Sequence, residues 1–417
     1  MNSHAHLDVS CFVALGDSIT SGYADGALYF TGQTFSYANI LAGQLKHIGC
    51  GNFRQPLMPE NSVGVDPLGN ARLSLKRGDD VLKNYVLDYF SAQGDLEALS
   101  NNIYNTQGPF NNMGVPGAKV TTLLAPGFGN PEHGSGNYNP FFTRMASNPI
   151  TASMLSDVVL MRPTFFSLFI GNNDALAYAL SGGTLNPITP LNGAPGIGFK
   201  ESLVKIVSTL TNNGAKGVIA SLPSIEFIPY FTCIPYNGVL LNYSQTSALN
   251  ETFKNTAIRF SEGRNPFLVD DPVKGIRQLE MGELVLMDIL LDSAKMDFVT
   301  AKQPLPKKYV LTLAELKKVQ EAITGYNHVI QSLAIEKKLA FVDIHSLVMT
   351  ARPDRFYNPV SYTLDYNRRG VFSLDGLHPN AFGQSIIANE FIKAINTTFG
   401  TEIAPVKIIQ YPGLKFP

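Results

Sequence analysis

The sequence has few cysteines, no long apolar run and no excess of charge of either sign. It has three cysteines, Cys11, Cys50 and Cys233. Their odd number and wide separation argue against a disulfide framework, and they lack the paired spacing of a zinc site. No apolar run approaches the roughly 20 residues that a membrane-spanning helix requires. The 32 basic and 33 acidic residues nearly balance, and no basic stripe could follow nucleic-acid phosphates. We therefore expect a globular protein that binds no nucleic acid and has no membrane span.

The length and the termini suggest one large domain with short extensions. Hydrophobic residues make up 45% of the 417 residues, which is ample for a large core. The opening residues, Met-Asn-Ser-His-Ala-His, include no apolar segment of the signal-peptide kind. We interpret residues 1–8 as a leader or a disordered start, residues 9–400 as the domain, and residues 401–417 as a C-terminal tail.

Apolar runs alternate with segments of helical periodicity along most of the chain. Predicted strands are Phe12–Leu15, Phe165–Ile170, Gly217–Leu222 and Leu339–Ile344; predicted helices are 37–48, 80–93, Lys200–Leu210, Thr246–Phe260 and Ala381–Ile395. This alternation indicates crossover connections, and so an α/β fold with a parallel sheet covered on both faces. Ligands bind such sheets at the carboxyl ends of the strands.

The segment 262–306 interrupts the alternation. It contains Leu-Val-Leu-Met-Asp-Ile-Leu-Leu, followed by Pro304 and Pro306. Because it lies between two core elements, we interpret it as an insertion. A cap over the site and a peripheral helix with a loop fit it equally well.

Two glycine-containing motifs follow apolar segments in the first third of the chain. Gly-Asp-Ser, ending at Ser18, comes directly after the first predicted strand. A serine hydroxyl there can act as a nucleophile if a base removes its proton, although a turn or a helix N-cap would explain the tripeptide alone. The second motif ends in Pro-Gly at Gly117, where a turn leaves a backbone N–H free to point into a site. A simple turn is the plainer explanation for it.

Two further motifs carry an amide and a histidine. Residues 171–174 are Gly-Asn-Asn-Asp, and a strand-end asparagine such as Asn173 can donate to a developing oxyanion. This is also a common loop composition. Asp375 and His378 stand three residues apart before the last predicted helix. An aspartate at that spacing can fix the imidazole tautomer and leave the other ring nitrogen free to face a serine, whereas a lone histidine is more often structural.

In this order the four motifs resemble the sequence blocks of the GDSL, or SGNH, hydrolases: Gly-Asp-Ser, a Gly after a small strand, Gly-x-Asn-Asp, and Asp-x-x-His near the C-terminus. The resemblance spans residues 16–380. It implies a three-layer α/β/α, flavodoxin-like fold with a parallel sheet of about five strands. Compact members are much shorter, so this chain would carry insertions.

The resemblance also implies residue roles. Ser18 would be the nucleophile and the first oxyanion donor, with Gly117 and Asn173 as further donors, His378 as the base and Asp375 as its orienting partner. Asp17, Gly171 and Asp174 would support the loops rather than act on substrate. No metal and no organic cofactor is implied.

The implied activity is hydrolysis of a carboxylic ester through an acyl-enzyme, with a small-molecule ester, a lipid or an acylated glycan as substrate. The wording around Ser18 also resembles exported, often lipid-anchored bacterial members, which implies a periplasmic, surface or lipoprotein location. Two alternatives stay open: an acyltransferase, in which a sugar hydroxyl resolves the acyl-enzyme, and a catalytically silent carbohydrate-binding module.

Overall fold

A computed structural model describes residues 7–77, 85–292, 295–349, 355–357, 360–366 and 370–414. The predicted leader, apart from Leu7 and Asp8, and the last three residues of the predicted tail lie outside these ranges. The chain divides into two compact units. One comprises Met1–Asp174, Thr189–Ser224 and Ala322–Pro417, and the other comprises Ala175–Ile188 and Ile225–Glu321.

The first unit is built on a five-stranded sheet. Its strands are β1 (Phe12–Gly16), β2 (Asn112–Gly114), β3 (Phe165–Phe169), β4 (Lys216–Ala220) and β5 (Ala340–Val342). They lie in the order β2-β1-β3-β4-β5, and every neighbouring pair is parallel. This is the doubly wound order of flavodoxin-like folds, whose ligands bind at the switch point between β1 and β3. The predicted α/β fold with a parallel sheet of about five strands is confirmed.

Both faces of the sheet are covered, as β3 shows. Phe165 and Phe169 contact the rings of Phe399 and Phe391 on the helix Ala381–Phe399. Since side chains alternate along a strand, Phe166 points to the other face, and it too is fully buried. A strand buried on both faces is mostly apolar, and in β3 Ser167 is the one polar residue. Such strands are recognisable in a sequence as nearly continuous hydrophobic runs.

Helices lie around this sheet. The first unit contains Ser18–Ser21, Phe30–Thr34, Tyr37–Leu45, Leu96–Ser100, Tyr104–Gln107, Pro140–Met145, Met154–Leu160, Phe199–Thr211, Ile344–Met349 and Ala381–Phe399, and the helices Asn172–Leu180 and Leu313–Glu336 run across the unit boundaries. Among the described residues, no helix is long and apolar enough to cross a bilayer.

The second unit has its own core and its own short strands. Its strand pairs are Val239–Leu241 with Gly263–Asn265, and Leu284–Val285 with Val310–Leu311; Leu268–Asp271 lies between Gly275–Gln278 and Leu305–Pro306. Its described helices are Pro229–Thr232, Tyr243–Thr252 and Lys295–Val299. The predicted helix at 246–260 is thus shorter and starts earlier. The segment 262–306 falls inside this unit, which also includes 225–261; its role as a cap stays a prediction.

The helix predicted at 80–93 is wrong where the structure describes it. Tyr85–Tyr89 is a strand that pairs antiparallel with Leu73–Arg77, and residues 78–84 lie outside the described ranges. Its Tyr-Val-Leu-Asp-Tyr sequence is rich in the aromatic and β-branched residues that favour strands.

Candidate active site

Close packing at the end of β1 places Ser18. A Cβ on Gly16 would lie 2.0 Å from Thr20 Oγ1 and 2.4 Å from the carbonyl oxygen of Phe169, so only glycine allows the following helical turn to fold back here. Asp17 caps that turn, because its Oδ1 accepts a hydrogen bond from the Ile19 N–H over 3.1 Å. Ser18 is left half-buried at the carboxyl end of β1, with its hydroxyl turned toward His378.

A continuous chain of hydrogen bonds joins Ser18, His378 and Asp375. His378 Nε2 lies 2.9 Å from Ser18 Oγ, and His378 Nδ1 lies 2.9 Å from Asp375 Oδ2. A carboxylate can only accept, so Nδ1 donates to it and the lone pair of Nε2 faces the serine hydroxyl. The arrangement brings together two residues 360 positions apart in the chain.

Asp375 is held in place by four N–H and O–H donors besides the imidazole. Its Oδ1 accepts from the N–H groups of Leu377 and His378, both at 2.8 Å, and from Ser373 Oγ at 3.0 Å. Its Oδ2 accepts from the Gly26 N–H at 2.8 Å. Burial would raise the pKa of Asp375, but the charge and the hydrogen bonds of His378 outweigh it and hold the pKa below its ordinary value. Asp375 therefore stays ionised beside the imidazole.

Tyr23 fixes the ring plane of His378. The two ring centroids are 4.8 Å apart at 52°, and only 7% of Tyr23 is exposed. The Tyr23 hydroxyl donates to the carbonyl oxygen of Gly26. Burial raises the pKa of Tyr23 well above its ordinary value, so the hydroxyl stays neutral and its contact with the imidazole is one of packing.

Asn172 ties the loop after β3 to Asp17. Its Nδ2 donates to Asp17 Oδ2 over 2.8 Å. Burial raises the pKa of Asp17 to about 6, although the hydrogen bonds from Asn172 and Ile19 work against the rise.

Asn173 contacts Ala118, the residue that follows Gly117. Asn173 Nδ2 donates one hydrogen bond to the Ala118 carbonyl oxygen at 2.9 Å, and its second N–H has no acceptor among the residues that the structure describes. Gly117 has a φ of +79° within a turn closed by the Ala118 N–H to Val115, a position that favours glycine. Gly117 is exposed, and its N–H donates to no acceptor within the described ranges.

Gly171 and Asp174 support the loop that follows β3. Gly171 has a φ of +119°, and a Cβ there would meet the Phe199 ring at 2.9 Å. Asp174 Oδ2 accepts from the Val120 N–H at 2.9 Å, which ties Asn172–Leu180 to the loop that carries Gly117. Burial raises the pKa of Asp174 to about 6. Among the described contacts, neither residue hydrogen-bonds Ser18 or His378.

The family model of the GDSL-like Lipase/Acylhydrolases matches residues 12–391, which is most of the chain. The chain belongs to this family. It is accordingly a carboxylic ester hydrolase, and the silent-module alternative is dropped.

Solved structures similar to this GDSL hydrolase include LAE5, an α/β hydrolase from the metagenome of Lake Arreo, Spain, at 12% identity; the match covers 92% of this chain and 94% of that one, with a TM-score of 0.36. A mutant of the acetyl-xylooligosaccharide esterase Axe2 from Geobacillus is also similar, at 12% identity, 96% and 100% coverage and a TM-score of 0.38. None of the curated proteins matches the chain in sequence.

The predicted residues of the GDSL hydrolase form three groups of contacts. Ser18 is hydrogen-bonded to His378, and His378 to Asp375. Asp17 is hydrogen-bonded to Asn172, and Asn173 to Ala118, the residue that follows Gly117. Four residues around the site were not predicted from the sequence, namely Tyr23, Asp25, Asn172 and Ser373. A signal existed for two of them, because Asp-Gly at 25–26 is a strong turn sequence and Asn172 stands inside a motif already identified. Within the described residues, no three His, Cys, Asp or Glu side chains are grouped so that they could hold a metal.

Proposed function

We propose that this GDSL hydrolase cleaves its ester through an acyl-enzyme formed on Ser18, with His378 as the base and Asp375 as its orienting partner. The observation that supports this most directly is the unbroken hydrogen-bond chain from Ser18 Oγ through both imidazole nitrogens to Asp375. A serine hydroxyl needs such a base to become nucleophilic. The base in turn needs a carboxylate that fixes its tautomer and stabilises its charged form.

The reaction proceeds in two half-reactions. Ser18 Oγ attacks the ester carbonyl carbon while its proton passes to His378 Nε2, and the carbonyl π electrons move onto the oxygen. The tetrahedral intermediate collapses, the bond to the alcohol oxygen breaks, and the alcohol leaves with the proton from Nε2. Water then attacks the acyl-enzyme, gives a proton to Nε2, and the carboxylic acid leaves as Ser18 recovers its proton.

We also propose that the oxyanion is held by the N–H groups of Ser18 and Gly117 and by the second N–H of Asn173. The Gly117 N–H donates to no protein acceptor within the described ranges. The hydrogen bond from Asn173 Nδ2 to the Ala118 carbonyl oxygen ties the amide to the residue that follows Gly117. Donors fixed before the reaction stabilise the developing charge without reorganising, and each is worth roughly 3–4 kcal/mol. We expect all three to lie near ~3 Å from the oxyanion position.

A fluorophosphonate ester probe tests the assignment of the nucleophile. Peptide mass spectrometry should find the label on Ser18 alone, and Ser18→Ala should abolish both labelling and hydrolysis of p-nitrophenyl acetate. Ser21→Ala is the matched control, because Ser21 lies on the same helical turn with its hydroxyl bonded to the Ser18 carbonyl oxygen. Labelling of another serine while Ser18 stays free would contradict the proposal.

We propose that the substrate is a small-molecule ester, a lipid or an acylated glycan, and the experiment must distinguish lipid esters from acylated glycans. A panel of p-nitrophenyl esters of increasing chain length, run beside acetylated xylo-oligosaccharides, compares them directly. Adding an alcohol acceptor and analysing the products separates hydrolysis from acyl transfer. An exported location is also proposed, on the family resemblance alone, and fractionation of cells that express the native gene tests it.

A further inference from the structure

A tight turn at Ala24–Ala27 is bonded to the loop that carries Asp375 and His378. Ala24 and Ala27 form an antiparallel bridge, and the two residues between them, Asp25 and Gly26, have φ values of +52° and +74°. Two successive positive φ values define a type I′ turn, for which Asp-Gly is a preferred sequence. The turn follows Ser18 closely in sequence, but it contacts residues about 350 positions away.

The contacts run in both directions. The N–H of Asp25 donates to Ser373 Oγ at 2.9 Å, and the N–H of Gly26 donates to Asp375 Oδ2 at 2.8 Å. In return, the Leu374 N–H donates to Asp25 Oδ1 at 2.8 Å. The Ser373 hydroxyl donates its own hydrogen bond to Asp375 Oδ1 at 3.0 Å. The carboxylate of Asp25 thus binds the backbone of the residue immediately before Asp375.

Asp25 is itself held rigidly. Its Oδ2 accepts from the Tyr29 hydroxyl at 2.6 Å, and the guanidinium of Arg72 lies 4.9 Å from the centre of the Tyr29 ring. Burial raises the pKa of Asp25; the hydrogen bonds from Tyr29 and Leu374 and the charge of Arg72 lower it, while Asp375 raises it further. The surroundings therefore do not favour a charge at this position, and a neutral side chain of the same shape should be tolerated.

We propose that Asp25 is a positioning residue for the ester-cleaving reaction: by accepting the Leu374 N–H it fixes the segment 373–378 so that His378 Nε2 stays within hydrogen-bond reach of Ser18. The inference rests on the proposed roles of Ser18, His378 and Asp375. Asp25 touches neither substrate nor the reacting atoms. Its effect is geometric, and a misplacement of about 1 Å at a catalytic base can cost roughly 100-fold in rate.

The test compares Asp25→Gly with Asp25→Asn. Glycine keeps the positive φ at no steric cost and leaves the backbone N–H contacts, so it removes only the side-chain acceptor. Asparagine retains that acceptor for Leu374 without the charge, and its amide can donate to the Tyr29 oxygen. For D25G we expect kcat on p-nitrophenyl acetate to fall about 100-fold with KM changed less than about threefold. D25N should retain at least about a third of the wild-type kcat, as expected of a geometric rather than a charge effect.

Asp157→Ala is the matched control for lost stability. Asp157 is a buried aspartate that, like Asp25, accepts one backbone N–H and one hydroxyl, in its case both from Ser147. D157A should lower Tm at least as much as D25G and leave kcat unchanged when both are assayed where they are fully folded. In proton NMR, the low-field Nδ1–H resonance of His378 should broaden or disappear in D25G and persist in D25N and D157A.

The possible outcomes separate this inference from the proposed function. If D25G keeps a kcat within about threefold of wild type, if D25N falls as far as D25G, or if D157A loses kcat equally, the positioning role is wrong. Parallel assays of Ser18→Ala and His378→Ala distinguish the two levels. Inactive S18A and H378A with an active D25G would overturn the inference alone, whereas active S18A and H378A would overturn the proposed function.

Discussion

Asn172 donates a hydrogen bond from Nδ2 to Asp17 Oδ2 over 2.8 Å, and both residues stand directly before a proposed oxyanion donor. The loops after β1 and β3 are therefore fixed to one another at the switch point of the sheet. The cost is a fully buried carboxyl group whose pKa is raised by burial to about 6. Because of this raised pKa, the stability of the protein should depend on pH in a way that can be measured.

Asp17 should make the folded state less stable as the pH rises. Its pKa is raised from the ordinary 3.8 to about 6 on folding, so its stabilising contribution is complete below about pH 4 and is lost as the pH rises through 6. A shift of about two units corresponds to ~3 kcal/mol. Between about pH 4 and pH 7.5, wild type should lose up to that amount relative to Asp17→Asn in urea unfolding. A gain relative to the mutant would contradict the sign.

Ser18 and His378 should act as one unit. Each of Ser18→Ala and His378→Ala should lower kcat by at least about 10⁴-fold, and the double mutant should be no slower than the worse single mutant. Steady-state kinetics on p-nitrophenyl acetate, with circular dichroism to verify folding, measures this. Additive losses in the double mutant would mean that the two side chains act in separate steps.

Hydrolysis should fall on acidification with the slope of a single proton. His378 must be unprotonated to accept the serine proton, and Asp375 stays ionised because its pKa is held below its ordinary value. Asp17, with its pKa raised to about 6, is the competing explanation. The pH profile of kcat/KM should therefore keep the same acid limb in Asp17→Asn; a limb that disappears in that variant would assign it to Asp17.

Removing the Asn173 amide should affect the transition state rather than binding. Asn173→Ala should lower kcat about 10²–10³-fold with little change in KM. Asn139→Ala is the control, because Asn139 Nδ2 holds the same turn through the Pro116 carbonyl oxygen and its Oδ1 caps the helix Pro140–Met145. Asn139→Ala should lower the stability of the protein by about 1 kcal/mol. Its kcat should fall far less than that of Asn173→Ala. Equal losses would show that Asn173 acts only on the loop.

Gly16→Ala should destabilise the protein and inactivate it together. The new Cβ would overlap Thr20 Oγ1 at 2.0 Å and the Phe169 carbonyl oxygen at 2.4 Å, and overpacking of this kind costs about 1–3 kcal/mol or more. Thermal melts and kcat should fall in parallel. Gly43→Ala is the matched control, since a Cβ there meets nothing within 4 Å. If the G16A protein is as stable as the G43A protein, the turn can accommodate a Cβ at position 16 and the predicted steric overlap is wrong.

Four of the five strands of the parallel sheet were predictable because they are largely buried and their sequences are mostly apolar, whereas β2, with the sequence Asn-Met-Gly, was not predicted as a strand. The helix Leu313–Glu336 was not predicted, although Leu316, Val319, Ile323, Tyr326 and Ile330 recur at helical spacing and are buried. The strand Tyr85–Tyr89 was mistaken for a helix because it is short and lies in a segment of mixed composition. The periodicity of the helix is thus visible in the sequence, whereas the five residues of the strand are too few to distinguish a strand from a helix.

The contacts that hold the site were harder to predict for a different reason. Asp375 and His378 could be paired from their spacing, since three residues on one loop bring the side chains together. The bond from Gly26 to Asp375 joins residues 349 positions apart, and nothing local in either segment indicates it. The contact of Asn172 with Asp17 was not predicted either, because it joins residues 155 positions apart.

The separation of 360 residues between Ser18 and His378 has a consequence for the newly synthesised chain. The ribosome adds the proposed nucleophile 360 residues before it adds the proposed base. Throughout that interval the serine has no partner to take its proton, and the Asp25–Gly26 turn has no loop to bind. On the proposed mechanism, the growing chain cleaves no ester until residues 373–378 have left the exit tunnel and packed against Ser18 and the Asp25–Gly26 turn.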